Sequence, residues 1–252
     1  MIDPIQISDA ANIIKNSKYI VVFTGAGIST ESGIADFRSE GGLWSRYNPD
    51  IYASYFYFLE DPSKFWEMHN ELEDIMAEAE PNPAHLAIAE LEKMGKVKAI
   101  ITQNVDMLHQ KAGSGSYNDI PIYELHGSYG IYECINCKKT WDHSEIETKN
   151  VSYPACEECK GFIKPKVILF GEALPMGIMD QAMNECQKCD CFLMVGSSLV
   201  VSPANFMPRV AKEHGAQLIF INRDHTFMDE LADIFLLGSA SEILTEIMRK
   251  LR

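Results

Sequence analysis

An α/β fold is predicted: a Rossmann-like parallel sheet with helices on both faces, carrying two smaller modules, one helical and one organised by cysteines. Three observations predict it. Short apolar runs recur along the chain, each closing in glycine or polar residues, with helix-like stretches between several of them. That is the pattern of a parallel sheet wrapped on both faces. The first run, Tyr19–Phe23, leads into Gly25-Ala26-Gly27, and two Cys-x-x-Cys pairs stand 18 residues apart further on.

At 252 residues the chain suffices for one large domain with inserts. Hydrophobic residues make up 46% and charged residues 23%, ordinary for a globular protein. No apolar run reaches the roughly 20 residues that cross a bilayer, and the N-terminus has acids early and no apolar core before a small-residue cleavage site. A cytoplasmic protein without a membrane partner is therefore expected. The formal net charge of −14 disfavours a nucleic-acid partner, which would need clustered Lys and Arg. It would attract a basic peptide, or serve only for solubility.

Residues Ile5 to Lys15 have helical apolar spacing, with Ser8 or Asp9 available to cap the start. Tyr19–Phe23 reads as a strand buried on both faces. Its glycines let backbone N–H groups approach a phosphate, although a Gly-x-Gly alone also fits a plain tight turn. A third fingerprint glycine is absent, since Thr30 stands there. Ile28 to Ser32 allows little more than one helical turn before Gly33, and the loop Asp36-Phe37-Arg38 to Trp44 reads as a lid. Asn48 to Pro83 is aromatic and acidic and reads as a helical module, its rings either core or the wall of an apolar pocket. Pro83–Met94 is a further helix ended by Gly95. Strand candidates follow at Val97–Ile101, Ile122–Leu125, Val167–Phe170, Phe192–Val195, Leu218–Ile221 and Ile234–Leu237, with helices at Met176–Glu185 and Ala204–His214. The expected division is 1–47, 84–127 and 165–252 for the Rossmann-like domain, 48–83 for the helical module, and 128–164 for the cysteine module.

Cys134, Cys137, Cys156 and Cys159 fit the paired-knuckle spacing of a zinc ribbon. Four thiolates close a tetrahedral site, so one zinc is expected, with a structural role. Cys186, Cys189 and Cys191 lack that context and read as reduced, partly buried thiols, with redox activity the minor reading.

In such sheets ligands collect at the carboxyl ends of strands. Gln103, Asn104 and Asp106 follow one strand, and His126 closes another, where an imidazole can act as general base. No Ser/His/Asp elbow and no HExxH metal site is visible. GAGIST with SGIADFR, TQNVDMLHQKAG, ELHGS, the paired cysteines, PKVILFGEALP, VGSSLVVSPA and the Ile-Asn at 221–222 occur in an order that resembles the sirtuins, NAD-dependent protein deacylases. The resemblance runs from about Tyr19 to Gly238.

It implies that NAD lies across the strand ends, its phosphates near Gly25, Ala26 and Gly27, with Ser197, Ser198 and Asn222 towards the adenosine half. Gln103, Asn104, Asp106 and Ile28 would surround the nicotinamide ribose and nicotinamide. Thr30, Asp36, Val105, Gly196 and Ala240 complete the implied cofactor set, and Phe37 and Arg38 belong to the lid. Asn104 and His126 are the implied catalytic residues. In that mechanism the acyl-lysine oxygen attacks the anomeric carbon as nicotinamide leaves. His126 then serves as base on a ribose hydroxyl, and the products are lysine, nicotinamide and O-acyl-ADP-ribose. The substrate backbone would add as a strand to Val167–Glu172. Ala35 and Lys164 depart from the family's usual proline and arginine, and the stretch between Gly113 and Glu124 is long. Members that take succinyl groups carry a Tyr-x-x-Arg pair where His69 and Leu72 fall here, which implies a preference for neutral acyl groups. An ADP-ribosyl transferase and a non-catalytic NAD-sensing module are the competing readings.

Overall fold

The computed structural model describes residues 3–39, 41–149 and 151–252. Helix α1 (Pro4–Asn16) leads to strand β1 (Ile20–Thr24), and three helices follow, α2 (Pro49–Tyr52), α3 (Tyr55–Glu60) and α4 (Ser63–Glu78). Next come α5 (Pro83–Lys93), β2 (Val97–Thr102), α6 (Leu108–Lys111) and β3 (Ile122–Glu124). An inserted sheet holds β4 (Gly127–Cys134), β5 (Thr140–Asp142) and β6 (Ile163–Val167). The chain ends with α7 (Met176–Lys188), β7 (Cys191–Val195), α8 (Met207–Glu213), β8 (Gln217–Asn222), β9 (Ile234–Leu237) and α9 (Ala240–Leu251).

Strands β3-β2-β1-β7-β8-β9 form one sheet in that order, with every pairing parallel. This is the doubly wound order, with the reversal between β1 and β7, and the crevice there is where such sheets take ligands. β1 is buried at all five positions because both faces are covered. On one face Ile20 and Val22 pack with Ile7 and Ile14 of α1, Ile88 of α5 and Ile243 of α9. On the other, Val21 and Phe23 pack with Ala182 and Cys186 of α7 and Met207 of α8.

Several expectations shift. Helix α1 starts at Pro4 and is capped by Asp3, whose carboxylate accepts from the Ile5 amide at 2.9 Å, not by Ser8 or Asp9. Proline suits the first helical position, having no N–H to satisfy and a preset φ. The expected strand Val167–Phe170 is also displaced, because β6 ends at Val167 and pairs antiparallel with β4 in the small sheet. β6 therefore straddles the division expected at 164/165.

The helical and cysteine modules share one core. Phe58, Phe65, Trp66 and Met68 pack with Tyr132, Cys134, Cys156 and Ile163. Trp66 meets Tyr132 edge-on at 5.7 Å. Burying each such large apolar side chain contributes about 1.5–3 kcal/mol. Phe65, Trp66 and Met68 are thus core residues and not the wall of an open pocket, with at most 4% exposure. Among the described residues, no helix is long and apolar enough to cross a membrane.

Candidate active site

Three glycines meet at the switch point. The Gly27 amide donates to the Gly196 carbonyl at 2.8 Å, and the Gly25 amide to the Val195 carbonyl at 3.2 Å. A Cβ on Gly25 would lie 2.8 Å from the Gly196 oxygen, and one on Gly27 equally close. Gly196 adopts φ +65°, and its Cβ would sit 2.2 Å from the Ile28 nitrogen. The turn after β1 and the end of β7 therefore meet backbone to backbone, with no room for a side chain between them. The chain then winds through two short 3₁₀ turns, Ala26–Ile28 and Thr30–Ser32, and Gly33 ends the second at φ +88°.

The predicted residues gather in two groups. A cleft of about 130 Å³ is lined by Gly27, Thr30, Asp36, Gly196, Asn222 and Ala240, together with Arg223 and Asp224. At the neighbouring strand ends, Asn104 donates to the Gly25 carbonyl (3.2 Å) and Ser29 Oγ (3.1 Å). Ser29 in turn donates to Asp106 at 2.6 Å. Gln103 donates to Ser197 at 2.8 Å, across the crevice from β2 to β7. Val105 packs into the small-domain core, Ala26 is half-buried and Ser198 is exposed.

His126 sits between β3 and β4, half-buried, with Nδ1 2.9 Å from the Gln103 carbonyl. A carbonyl can only accept, so Nδ1 carries the proton and Nε2 is left as the basic nitrogen. Burial pushes its pKa below the ordinary imidazole value, the Gln103 bond opposes this, and the Arg38 charge adds to it. The loop expected to act as a lid is a folded turn. Asp36 accepts from the amides of Arg38 (2.9 Å) and Ser39 (2.8 Å), and the Phe37 ring lies 5.0 Å from Trp44. Burial raises the Asp36 pKa, but the Ser39 and Arg38 hydrogen bonds outweigh it and hold the carboxyl below its usual value.

Four cysteine sulfurs lie within 4.8 Å of one another. Cys134 and Cys159 Sγ are 3.4 Å apart, and Cys137 and Cys156 3.7 Å. Tetrahedral zinc with bonds of about 2.3 Å places its sulfurs about 3.8 Å apart, so the donor set fits one such ion with no open position. Cys186, Cys189 and Cys191 are buried against the large sheet, and burial raises the pKa of each. They are buried thiols of the core.

Some of the supporting residues were not singled out from the sequence. Ser29 ties Asn104 to Asp106, and Thr24 bonds both Thr102 (2.8 Å) and the buried His109 (2.9 Å) beneath them. All lie inside or beside the quoted motifs, so a buried polar residue within a motif was the available signal. Glu31 had none: it accepts from Arg223 and Ser239, 192 and 208 residues away.

A doubly wound sheet with a glycine-lined switch point, an Asn-Ser-Asp network and a histidine beside it defines a nucleotide-binding enzyme site with an appended four-cysteine module. The Sir2 family model matches residues 25–203, and the chain belongs to the Sir2 family. It is 48% identical over 98% of its length, and 96% of the relative's, to a protein named NAD-dependent protein deacylase 2 of Archaeoglobus fulgidus. A solved Sir2 enzyme, from work on the mechanism and regulation of these enzymes, superposes with TM-score 0.92 at 47% identity, covering 99% of this chain and 98% of the other. Another, Sir2Af2 bound to a myristoylated histone peptide, superposes with TM-score 0.82 at 42% identity, covering 99% and 97%.

Proposed function

We propose that this chain is an NAD-dependent protein-lysine deacetylase, which transfers the acyl group of an acyl-lysine to ADP-ribose and releases nicotinamide and O-acetyl-ADP-ribose. The observation that carries the reading is His126, its Nδ1 tied to the Gln103 carbonyl and its Nε2 free, next to the Asn104–Ser29–Asp106 network. A mere nucleotide binder has no use for an oriented base. NAD, when bound, supplies a ribose carbon with nicotinamide as leaving group. Gly25, Ala26 and Gly27 would hold its phosphates, and Thr30, Asp36, Gly196, Ser197, Ser198, Asn222 and Ala240 the adenosine half. Gln103, Asn104, Val105 and Asp106 would hold the nicotinamide half. Phe37 and Arg38 would shield the reacting sugar from water, and His126 would accept a ribose hydroxyl proton at Nε2. The zinc at Cys134, Cys137, Cys156 and Cys159 is structural.

The acyl group should be neutral. His69, at one of the two positions that decide this, is buried, bonds Tyr132 at 2.9 Å and stacks on Tyr129 at 4.9 Å. Burial pushes its pKa down to about 3, so it carries no charge. Leu72 holds the other position, and Arg46 is taken by Glu71 at the surface. With no cation there, an acyl carboxylate would be left unpaired. Acetyl, and longer apolar chains, fit this better than succinyl. A cytoplasmic protein with no nucleic-acid or membrane partner completes the reading, supported by the net charge of −14.

Nicotinamide and O-acetyl-ADP-ribose should form from NAD only when an acetyl-lysine peptide is present. Label from NAD appearing on protein, without deacetylated peptide, would identify an ADP-ribosyl transferase and defeat the proposal.

A further inference from the structure

Past β6 the chain turns through residues 168–172 between His126 and the helical module, and six of the ten backbone hydrogen-bonding groups there are already taken. The Ile168 amide donates to the His126 carbonyl (2.8 Å), and the Phe170 amide to the Ala53 carbonyl (2.8 Å). The Phe170 carbonyl accepts from the Tyr55 amide at 2.9 Å, and the Leu169 carbonyl from the Glu172 amide at 3.0 Å. Leu169 N–H goes to Glu172 Oε2 at 3.1 Å. Among the described residues, the Ile168 carbonyl, the Gly171 N–H and the Gly171 and Glu172 carbonyls take no part in these bonds and stay available to an incoming chain.

Lys164 closes this turn. It is 6% exposed, and its Nζ donates to the Val167 carbonyl at 2.6 Å and pairs with Glu172 Oε2 at 3.2 Å. A buried ammonium persists only when paired and hydrogen-bonded, and removing one partner leaves the other charge uncompensated. Burial depresses the Lys164 pKa, while Glu172 opposes the shift. Both charges are thus spent on the turn: Lys164 grips its start and Glu172 its end, and Glu172 also holds the amide between.

We propose that Lys164 and Glu172 form a positioning clamp that fixes residues 167–172 so that an acyl-lysine peptide pairs with the Ile168 carbonyl and Gly171 N–H in one register. The proposal rests on the deacylase reading. Lys164 and Glu172 are positioning residues, since neither need touch the substrate. The arginine usual in the family at Lys164 can make the same charged contacts.

The test uses zinc-loaded full-length protein: wild type, Lys164→Met, Lys164→Arg, Glu172→Gln and Lys164→Met/Glu172→Gln. Calorimetry measures acetyl-lysine peptide and NAD affinity, and steady-state kinetics measures both KM values and kcat. Lys164→Met should weaken peptide binding and raise peptide KM by roughly 10-fold or more, with NAD affinity and kcat within about 2-fold, the signature of lost ground-state binding. Lys164→Arg should restore peptide binding, and the double variant should cost less than the two single losses combined. Should Lys164→Met not fold, Glu172→Gln carries the same test. Unchanged peptide affinity in whichever of these folds overturns the clamp, as does a loss of NAD and peptide affinity in equal measure. A wild type that binds the peptide without deacetylating it defeats the deacylase reading, while the affinity comparison still decides the clamp.

Discussion

Gly196→Ala should uncouple the cofactor site from an otherwise folded protein. The added Cβ would stand 2.2 Å from the Ile28 nitrogen and 2.5 Å from the Gly27 carbonyl carbon, where ordinary contact begins at 3.4 Å. The overlap is about 1.2 Å and falls on the Gly27–Ile28 backbone, so no rotamer relieves it. Relief requires moving the first turn after β1 away from the end of β7, which breaks the 2.8 Å bond from Gly27 to Gly196. An alanine at φ +65° adds about 1–2 kcal/mol, and the lost hydrogen bond about 0.5–1.5 kcal/mol. A destabilisation of about 2–3 kcal/mol should lower Tm by about 5–10 °C in a chain this long. The effect on NAD should be larger, because ångström-scale displacement of a positioned site costs on the order of 10²-fold. Gly33→Ala is the control: it shares a positive φ of +88°, yet nothing lies within 4 Å of its Cβ. It should lose a little stability and keep NAD affinity. Calorimetric titration with NAD, alongside thermal melts, reads both. If folded Gly196→Ala binds NAD within about twofold of wild type, the cofactor does not use this crevice as proposed.

Further tests address the base, the metal and the acyl group. His126→Ala should cut turnover by roughly 10²–10⁴-fold with NAD affinity little changed, and near-normal deacetylation would remove His126 from the mechanism. A base works when neutral, above its pKa; burial lowers that of His126. The acid limb of the kcat–pH profile should therefore fall below the ordinary imidazole value of about 6.5, and a limb above it would contradict the assignment. Cys134→Ser should lose zinc, measured per chain, and perturb the near-UV signal of Trp66, because both side chains belong to one core. Cys186→Ala should keep zinc and activity, and zinc lost from it alone would reverse the metal assignment. On one peptide, kcat/KM should favour acetyl or myristoyl lysine over succinyl lysine, and succinyl fastest of the three would refute the neutral-pocket argument.

How much could be read beforehand depends on the range of the interactions involved. Strands of the large sheet were legible because burial on both faces forces unbroken apolar runs, as in Tyr19–Phe23. The zinc donors were legible because chelation demands two thiols three residues apart, twice. Val167–Phe170 misled for the same reason that β1 did not. Val167 and Leu169 face the shared core of the two modules while Phe170 is exposed, and composition cannot distinguish that from the large sheet. Beyond β6, Phe170 forms an isolated bridge with Ser54, more than a hundred residues away. Phe65, Trp66 and Met68 left core and pocket open until Tyr132 and Cys156 appeared against them. Lys164 registered only as a departure from arginine. Its role emerges when Glu172 and the Val167 carbonyl converge on one ammonium. A buried charge is a demand for partners, and sequence states the demand without naming who meets it. The side chains proposed for catalysis, Asn104 and His126, escaped that limit because they sit at strand ends, where the fold itself fixes what they face.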